Sequence, residues 1–557
     1  MMQSRRKFLT TSALSFGPFL FFHNLLKANI QYNSPSVYKL KDVNTTDIKG
    51  AVELGCQTMS NVFNADDNNI PFFGSEVGQN SRFWFFNNHS ESHIPGRHLN
   101  ALLTAEKSIG YKIGKGVIDK HAQAAFFSYS GAVPLPLNRD KIGGNLNRFL
   151  PHNLREGFHA LYALVKYRNS EKAAQLAQKS IDVIFKHWQP EKGWNKEYFT
   201  NAGVELIEWD GPFITGIARA IGPLVKYYQA TGYGKAFELA IILKDKALRD
   251  CFTPEGNFDI KRFGTHTHST TCVMSSLAQL GNLTSDISLI QTVKSFFDKG
   301  LKDISDEIGW SIENAGPRAN PDRGEVNNTG DILETALILG RWGYTPYYQV
   351  AERILRAHLL PSQLRDISFI TEPANPEKED TKRNVAQRHK GAFGFPAPYG
   401  HKPLGVHDPS FNMDIVGGAV ASLCEAYMCI YEFATSGHRV NLLFDYESDF
   451  IKIESPYTQG DLRVKIKKQA PLFIRIPDWV KFSSLSLIGV DQDKNIENGC
   501  LFIPTPPLNK FITIKFDLTG QDIILSHRTR KIKARLEGDR IIAMENFGAG
   551  LTYFDPL

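Results

Sequence analysis

From about residue 96 the apolar positions recur at intervals of three and four. Leu99, Leu102, Leu103 and Ala105 share one helical face, and Ile118, Ala122, Ala125 and Phe126 share another. The stretch 153–168 sets Leu154, Phe158, Leu161, Leu164 and Val165 at the same spacing, and 171–187 does so with Ala174, Leu176, Ala177, Ile181 and Ile184. The pattern predicts further pairs at 213–230 with 234–250, 268–280 with 284–302, and 330–342 with 346–359. One long apolar helix follows over 411–434. Helical hairpins at a spacing of roughly 40–60 residues, without a tight internal repeat, predict an (α/α)6 toroid rather than a solenoid.

After residue 436 the period changes to two. Leu462 to Ile466, Leu472 to Ile476 and Phe511 to Phe516 alternate strictly, and Val440 to Phe444 reads as a further strand. The predicted class is mainly α with a β domain: a toroid over 96–435, then a C-terminal β-sandwich over 436–557. Residues 29–95 are irregular and read as an N-terminal extension wrapping the main domain.

Composition adds little to this picture except at the N-terminus. The chain is 42% hydrophobic and 22% charged, with a formal charge of +6. Residues 1–28 hold Arg5, Arg6, Lys7 and Lys27 and no acid, leaving 60 bases against 58 acids elsewhere. No basic run concentrates charge as phosphate-backbone binding requires, so nucleic acid is not an expected partner. Ser4-Arg5-Arg6-Lys7-Phe8-Leu9 followed by an apolar stretch to Phe22 reads as a twin-arginine-type export signal over 1–28, giving an exported, periplasmic protein. Gly17, Pro18 and His23 interrupt that stretch, which is short for a permanent span. Six scattered cysteines form no CxxC pair and no disulfide framework.

Candidate chemistry lies between helices. Glu208-Trp209-Asp210 puts a stacking platform between two carboxylates: Asp210 is a candidate acid, or a helix cap, and Trp209 and Glu208 are candidates to hold sugar. His266 and His268 are candidate bases, but side chains two apart on an extended segment point to opposite sides, and no third metal ligand stands nearby. The polar run 314–334 carries Arg323, a candidate substrate clamp, and Glu325 and Asp331, candidate acid/base groups that also suit a helix N-terminus. His407 and Asp414 precede and open the last long helix and are candidates for substrate binding. No P-loop, GxSxG, HExxH or dinucleotide fingerprint occurs in usable context.

Three runs carry a family resemblance. Thr329-Gly330-Asp331-Ile332-Leu333-Glu334, the stretch from Tyr347 through Glu352 and Arg353 to Gln363, and Pro471-Leu472-Phe473-Ile474-Arg475-Ile476-Pro477-Asp478-Trp479 resemble glycoside hydrolase family 127, the β-L-arabinofuranosidases, within the six-hairpin glycosidases. The resemblance implies an (α/α)6 toroid with a β-sandwich, and a glycan substrate. The family binds zinc through a glutamate and three cysteines, one of them the nucleophile. Its Glu-x-Cys falls near Asp331-Ile332-Leu333 and its paired cysteines near Asn412-Met413, so no cysteine stands at these positions. No cofactor is therefore expected, although a metal held by other ligands stays open. The reading that results is an exported glycoside hydrolase using carboxylates. A polysaccharide lyase acting on uronates and a non-catalytic glycan-binding protein are the alternatives.

Overall fold

The computed structural model describes residues 38–78 and 80–557. The export signal read over 1–28 lies outside them. Among the described residues twelve helices reach nine residues or more. Six form an inner ring: α1 (Ile94–Ser108), α2 (Leu154–Arg168), α3 (Ile221–Thr231), α4 (Thr267–Thr284), α5 (Val326–Arg341) and α6 (Met413–Cys429). Each packs on the next, and α6 packs back on α1, so the ring closes. All but the last turn or so of α1 and α4 is buried, as a helix covered on all sides requires.

Each ring helix has an outer partner packed against it. Lys115–Ser128, Glu171–His187, Gly234–Asp250, Ile287–Asp298 and Pro346–Ile354 follow α1 to α5 in turn. The sixth partner, Ile48–Met59, comes from the stretch read as irregular and packs on α6. It was not legible because Gly50, Glu53, Gly55 and Gln57 break up its apolar face. Outer helices bury one stripe only: Glu171–His187 buries Ala173, Ala177, Ser180, Ile181 and Ile184.

Boundaries shift where the chain has something else to do. The helix expected from 213 begins at Ile221, because Thr215 turns back onto Gly211 and Asp210 before a 3-10 turn over Ile217–Ala220. The strand expected over 440–444 is instead Gly437–Val440. Beyond it the Leu443 N–H donates to Glu352 Oε2 at 3.0 Å and its carbonyl accepts from Arg356, so this backbone serves the helices rather than a ladder.

The C-terminal part holds two five-stranded sheets. In one, Ile496–Glu497, Cys500–Ile503, Leu472–Arg475, Gly437–Val440 and Tyr431–Ala434 lie in that order; in the other, Tyr446–Glu447, Ile451–Glu454, Leu462–Ile466, Phe511–Lys515 and Ser486–Ile488. Alternate residues are buried, Leu462, Val464 and Ile466 for example, as period two demands. A third, three-stranded sheet spans Gly520–Met544. All six cysteines are buried free thiols. No described helix is long and apolar enough to cross a membrane.

Two of the three runs that carried the family resemblance, 347–363 and 471–479, meet where the helices join the sheets. Arg475 pairs with Glu352 and donates to Gln349 Oε1 at 2.5 Å, Arg356 donates to Glu352 at 2.9 Å, and Trp479 donates to Asp539 at 3.1 Å. Glu352 and Arg356 are fully buried. Removing one member of such a group strands charge in a low-dielectric interior. Glu352→Ala is expected to cost about 3–5 kcal/mol, read as a lower denaturant midpoint with unchanged slope.

Candidate active site

The six ring helices present their first turns to one chamber. Arg97 stands on α1, Arg155 and Glu156 on α2, Arg219 just before α3, His268 on α4, Asn327 on α5 and Asp414 on α6, all buried. Helix N-termini carry partial positive charge and unpaired N–H groups, which makes this end of the ring suited to anionic groups. The ring is tight here: a Cβ on Gly96 would overlap the Glu156 carbonyl, so only glycine lets α1 and α2 approach.

Glu156 holds the floor. Its Oε1 accepts from Arg219 at 2.7 Å and faces Arg97 at 3.2 Å and Arg155 at 3.8 Å, while Oε2 lies 3.3 Å from His93. Burial alone would raise this carboxyl, but Arg219, His93, Arg97 and Arg155 outweigh it and hold it below the usual carboxylate range. Below the floor, the ring axis encloses a cavity of about 30 Å³, lined by Arg97, Arg155, Asn327 and Asp331 and, further along the helices, by Lys226 and Glu334.

Above the floor two carboxyls share one amide. Asn327 Nδ2 donates to Glu325 Oε1 at 2.9 Å and to Asp414 Oδ2 at 3.0 Å. Their environments push them apart. Burial, then the charges of Asp414 and Glu313, drive Glu325 up to about 8. Burial also raises Asp414, but the hydrogen bond and charge of His93, with Arg97, bring it down to about 2. Glu325 is thus a neutral acid and Asp414 an anion at neutral pH. Asp414 Oδ1 is buried without a hydrogen-bond partner.

His266 and His268 both reach this pair. His266 caps α4 and His268 sits in its first turn, so the chain bends between them, and the expectation of opposite directions fails. His268 Nδ1 lies 3.4 Å from Glu325 Oε1, and His266 Nε2 lies 3.9 Å from Oε2. Glu325 is thereby the third group that the sequence did not reveal. His266, His268 and Glu325 offer ligand atoms within 4.8 Å of one another, as a metal would need. Hydrogen bonding argues against that use. His268 Nε2 meets Arg97 Nη2 at 3.0 Å and Arg155 Nη1 at 3.2 Å. Arginine only donates, so Nε2 presents its lone pair there and Nδ1 carries the proton. A protonated Nδ1, 3.4 Å from Glu325 Oε1, has no lone pair left for a cation. Burial, with Arg97 and Arg219, holds His268 neutral, and burial with Arg219 brings His266 down to about 3.

Asp331 lies behind His268, not at the front. Arg155 donates to it at 2.9 Å, and its Oδ2 is 3.3 Å from His268 Nε2. Trp209 is half-buried among histidine rings, 4.5 Å from His152, 5.7 Å from His89 and 5.8 Å from His266 between centroids. Glu208 and Asp210 are exposed and outside the buried cluster; Glu208 lies 3.6 Å from Lys196. Arg323 pairs with Glu313, donates to Ser410 at 3.0 Å and stacks 3.8 Å over Phe395, which uses its fork internally. His407 is exposed beside Asp408. Sequence reading passed over Arg97, Arg155, Glu156, Arg219, His89, His93 and His152. Their one local signal was charge within otherwise apolar helix starts, as in Leu154-Arg155-Glu156-Gly157-Phe158.

Leu333 and Met413 are buried apolar residues where the resembled family has cysteines, and no thiol joins the cluster. Cys272, one turn along α4 from His268, is pushed up to about 11 by burial against the pull of Arg155. This donor set does not fit a zinc–thiolate centre.

No family model matches the sequence, and no curated protein is similar to it. Solved structures do share its fold. One described as a GH127 beta-arabinofuranosidase superposes with a TM-score of 0.55 at 14% identity, over 88% of this chain and 79% of its own. A GH127 beta-L-arabinofuranosidase from Geobacillus stearothermophilus T6 gives 0.52 at 13% identity, over 88% and 80%. A structure described as a glycoside hydrolase gives 0.53 at 12% identity, over 86% and 84%.

The split between the two carboxyls is directly measurable. Infrared difference spectra of wild type against Glu325→Gln are expected to show a protonated carboxyl at pH 6 that disappears as pH rises through about 8. A carboxylate band at pH 6 would remove the neutral acid.

Proposed function

We propose that the chain is a glycoside hydrolase in which Glu325 is the general acid and Asp414 the second carboxylate. The ring and its outer helices would be the (α/α)6 toroid catalytic domain, 96–435 with the Ile48–Met59 helix added, and 436–557 the β-sandwich, to which the strand Tyr431–Ala434 also belongs. The carrying observation is the Glu325–Asn327–Asp414 arrangement. Two carboxyls pushed to opposite protonation states by their surroundings are the usual division of labour in acid/base catalysis. Protonation of the glycosidic oxygen by Glu325 would release the leaving group while Asp414 faces the developing oxocarbenium charge. One amide nitrogen reaches both groups, so the facing oxygens are no more than about 6 Å apart. That is short of the about 6.5–9.5 Å of inverting enzymes and near the about 5–5.5 Å of retaining ones. The unpartnered Asp414 Oδ1 is then the atom free to attack the anomeric carbon. Trp209 and His266, the more exposed members, would receive the sugar.

This assignment keeps Glu325 from the notable carboxylates of the sequence and demotes Asp331 to pairing with Arg155 behind His268. Asp210 and Glu208, being exposed, fit the approach to the chamber better than its chemistry. The similar fold of structures described as glycoside hydrolases supports the substrate class, and the twin-arginine-type start supports export to the periplasm. Arg323 is occupied by Glu313 and Ser410, which weighs against its neutralising a uronate in a lyase.

Product analysis on a panel of neutral and uronate-containing glycans tests the reading. Saturated sugar is expected, with kcat lowered about 10²–10⁴-fold by Glu325→Gln and most for poor leaving groups. Asp414→Asn is expected to abolish turnover. Activity should persist below pH 8 and fall above it, because the acid form of Glu325 is lost there; Asp414 stays ionised down to about 2. An ultraviolet-absorbing unsaturated product would point to β-elimination, and binding with no turnover to a glycan-binding protein.

Metal independence is the second expectation. Dialysis against a chelator should leave kcat and KM unchanged; loss restored by zinc would return His266, His268 and Glu325 to a metal.

A further inference from the structure

Asp322 is an acid that the chemistry above leaves unused, yet it is only 2% exposed. Three side chains from two distant parts of the chain converge on it. The Tyr399 hydroxyl donates to Oδ2 at 3.0 Å, Arg530 pairs with the same oxygen, and His527 Nε2 lies 3.3 Å from Oδ1. His527 and Arg530 belong to the turn between strands Gly520–Ser526 and Lys531–Glu537 of the last sheet. The same turn grips the neighbouring loop twice more. Arg528 donates to the Ala315 carbonyl at 3.1 Å, and the Ser526 N–H donates to Glu307 at 2.7 Å.

Asp322 stands three residues before Glu325, and the intervening backbone is pinned. The Gly324 N–H donates to the Pro396 carbonyl at 2.8 Å, and a Cβ there would overlap Trp310 Nε1. Trp310 donates to the same carbonyl at 2.8 Å, and its ring lies 4.8 Å from that of His527. The Glu325 N–H donates to the Ser311 carbonyl at 3.1 Å. Through Asn314 the same loop bridges to His266. Glu325 therefore hangs from a loop that the C-terminal sheet holds down, and His266 is bridged to the same loop.

We propose that Asp322 is a positioning residue: clamped by Arg530 and Tyr399, with the His527 ring packed beside it, it fixes the 311–325 loop so that Glu325 meets Asn327 and Asp414. The activity readout rests on the glycosidase reading above; the clamp itself does not. Without Arg530 a buried carboxylate loses its counter-charge, and the least costly relief is for the loop to lift and admit water. A displacement of about 1 Å at a catalytic group is enough to cost roughly 10²-fold in rate.

Arg530→Met and Asp322→Asn test this in the full-length protein, with Arg530→Lys as the conservative control. The expected result is a kcat lower by about 10–100-fold with KM nearly unchanged, largely recovered in Arg530→Lys. Hydrogen exchange should quicken in 311–325 and stay at wild-type rates in the ring helices. Unchanged exchange in 311–325 would overturn the clamp, and so would a rise spread over the whole ring, which marks general destabilisation. If the wild type turns over no glycan, exchange still decides the clamp. If exchange behaves as expected while Glu325→Gln remains active, the clamp stands and the acid assignment falls.

Discussion

Glu156 is the constraint on which the chamber rests. Six helix N-termini converge at one end of the ring, and three arginines stand among them. Positive partial charge from the helices and full charge from Arg97, Arg155 and Arg219 would repel in so dry a space. Glu156, fully buried, touches all three arginines and His93. It can do so only because Gly96 lets α1 close onto the α2 backbone beside it. A ring of apolar helices thus carries at its end a charged lattice that balances internally, and each arginine is left in a fixed direction.

Those directions set the next layer. Arg97 and Arg155 together consume the Nε2 lone pair of His268, which turns its Nδ1 proton toward Glu325. Arg155 also pairs with Asp331, which stands behind His268. His93 bridges Glu156 to Asp414 and keeps Asp414 ionised. An ionised Asp414 then helps keep Glu325 protonated, since two carboxylates sharing one amide cannot both be charged without cost. The opposite protonation states of the two carboxyls therefore rest on burial, with the charge of Asp414, for Glu325, and on His93 and Arg97 outweighing burial for Asp414. Metal chemistry is not needed to produce an acid and an anion here, which accords with buried Leu333 and Met413 standing where the resembled family has thiols.

The sheets bear on the same chamber from outside. Arg475 and Trp479, from the run most like the resembled family, turn out to join sheet to helix through Glu352, Gln349 and Asp539. Their chemistry is that of an interface, which explains how such a run can recur without the catalytic thiols. The last sheet extends this contact to the loop that ends at Glu325.

The sequence by itself determined the classes of element and their order. The three-and-four spacing gave Glu171–His187 and Gly234–Asp250 to the residue, and strict alternation gave Leu462–Ile466, because one-sided burial imprints its period on the chain. It failed at Ile48–Met59, where glycines and polar residues blur the face, and at 441–444, where apolar residues are buried without a ladder. Glu325, His266, His268 and Asp414 were legible as polar groups at helix starts, since a charge beside an apolar run is rare. Their grouping was not, nor were Arg97, Arg155, Glu156 and Arg219. Only ring closure brings first turns separated by scores of residues to one end, and only burial among those partners decides which carboxyl keeps its proton. Period and composition are local properties of a chain; proximity and dielectric belong to the folded whole.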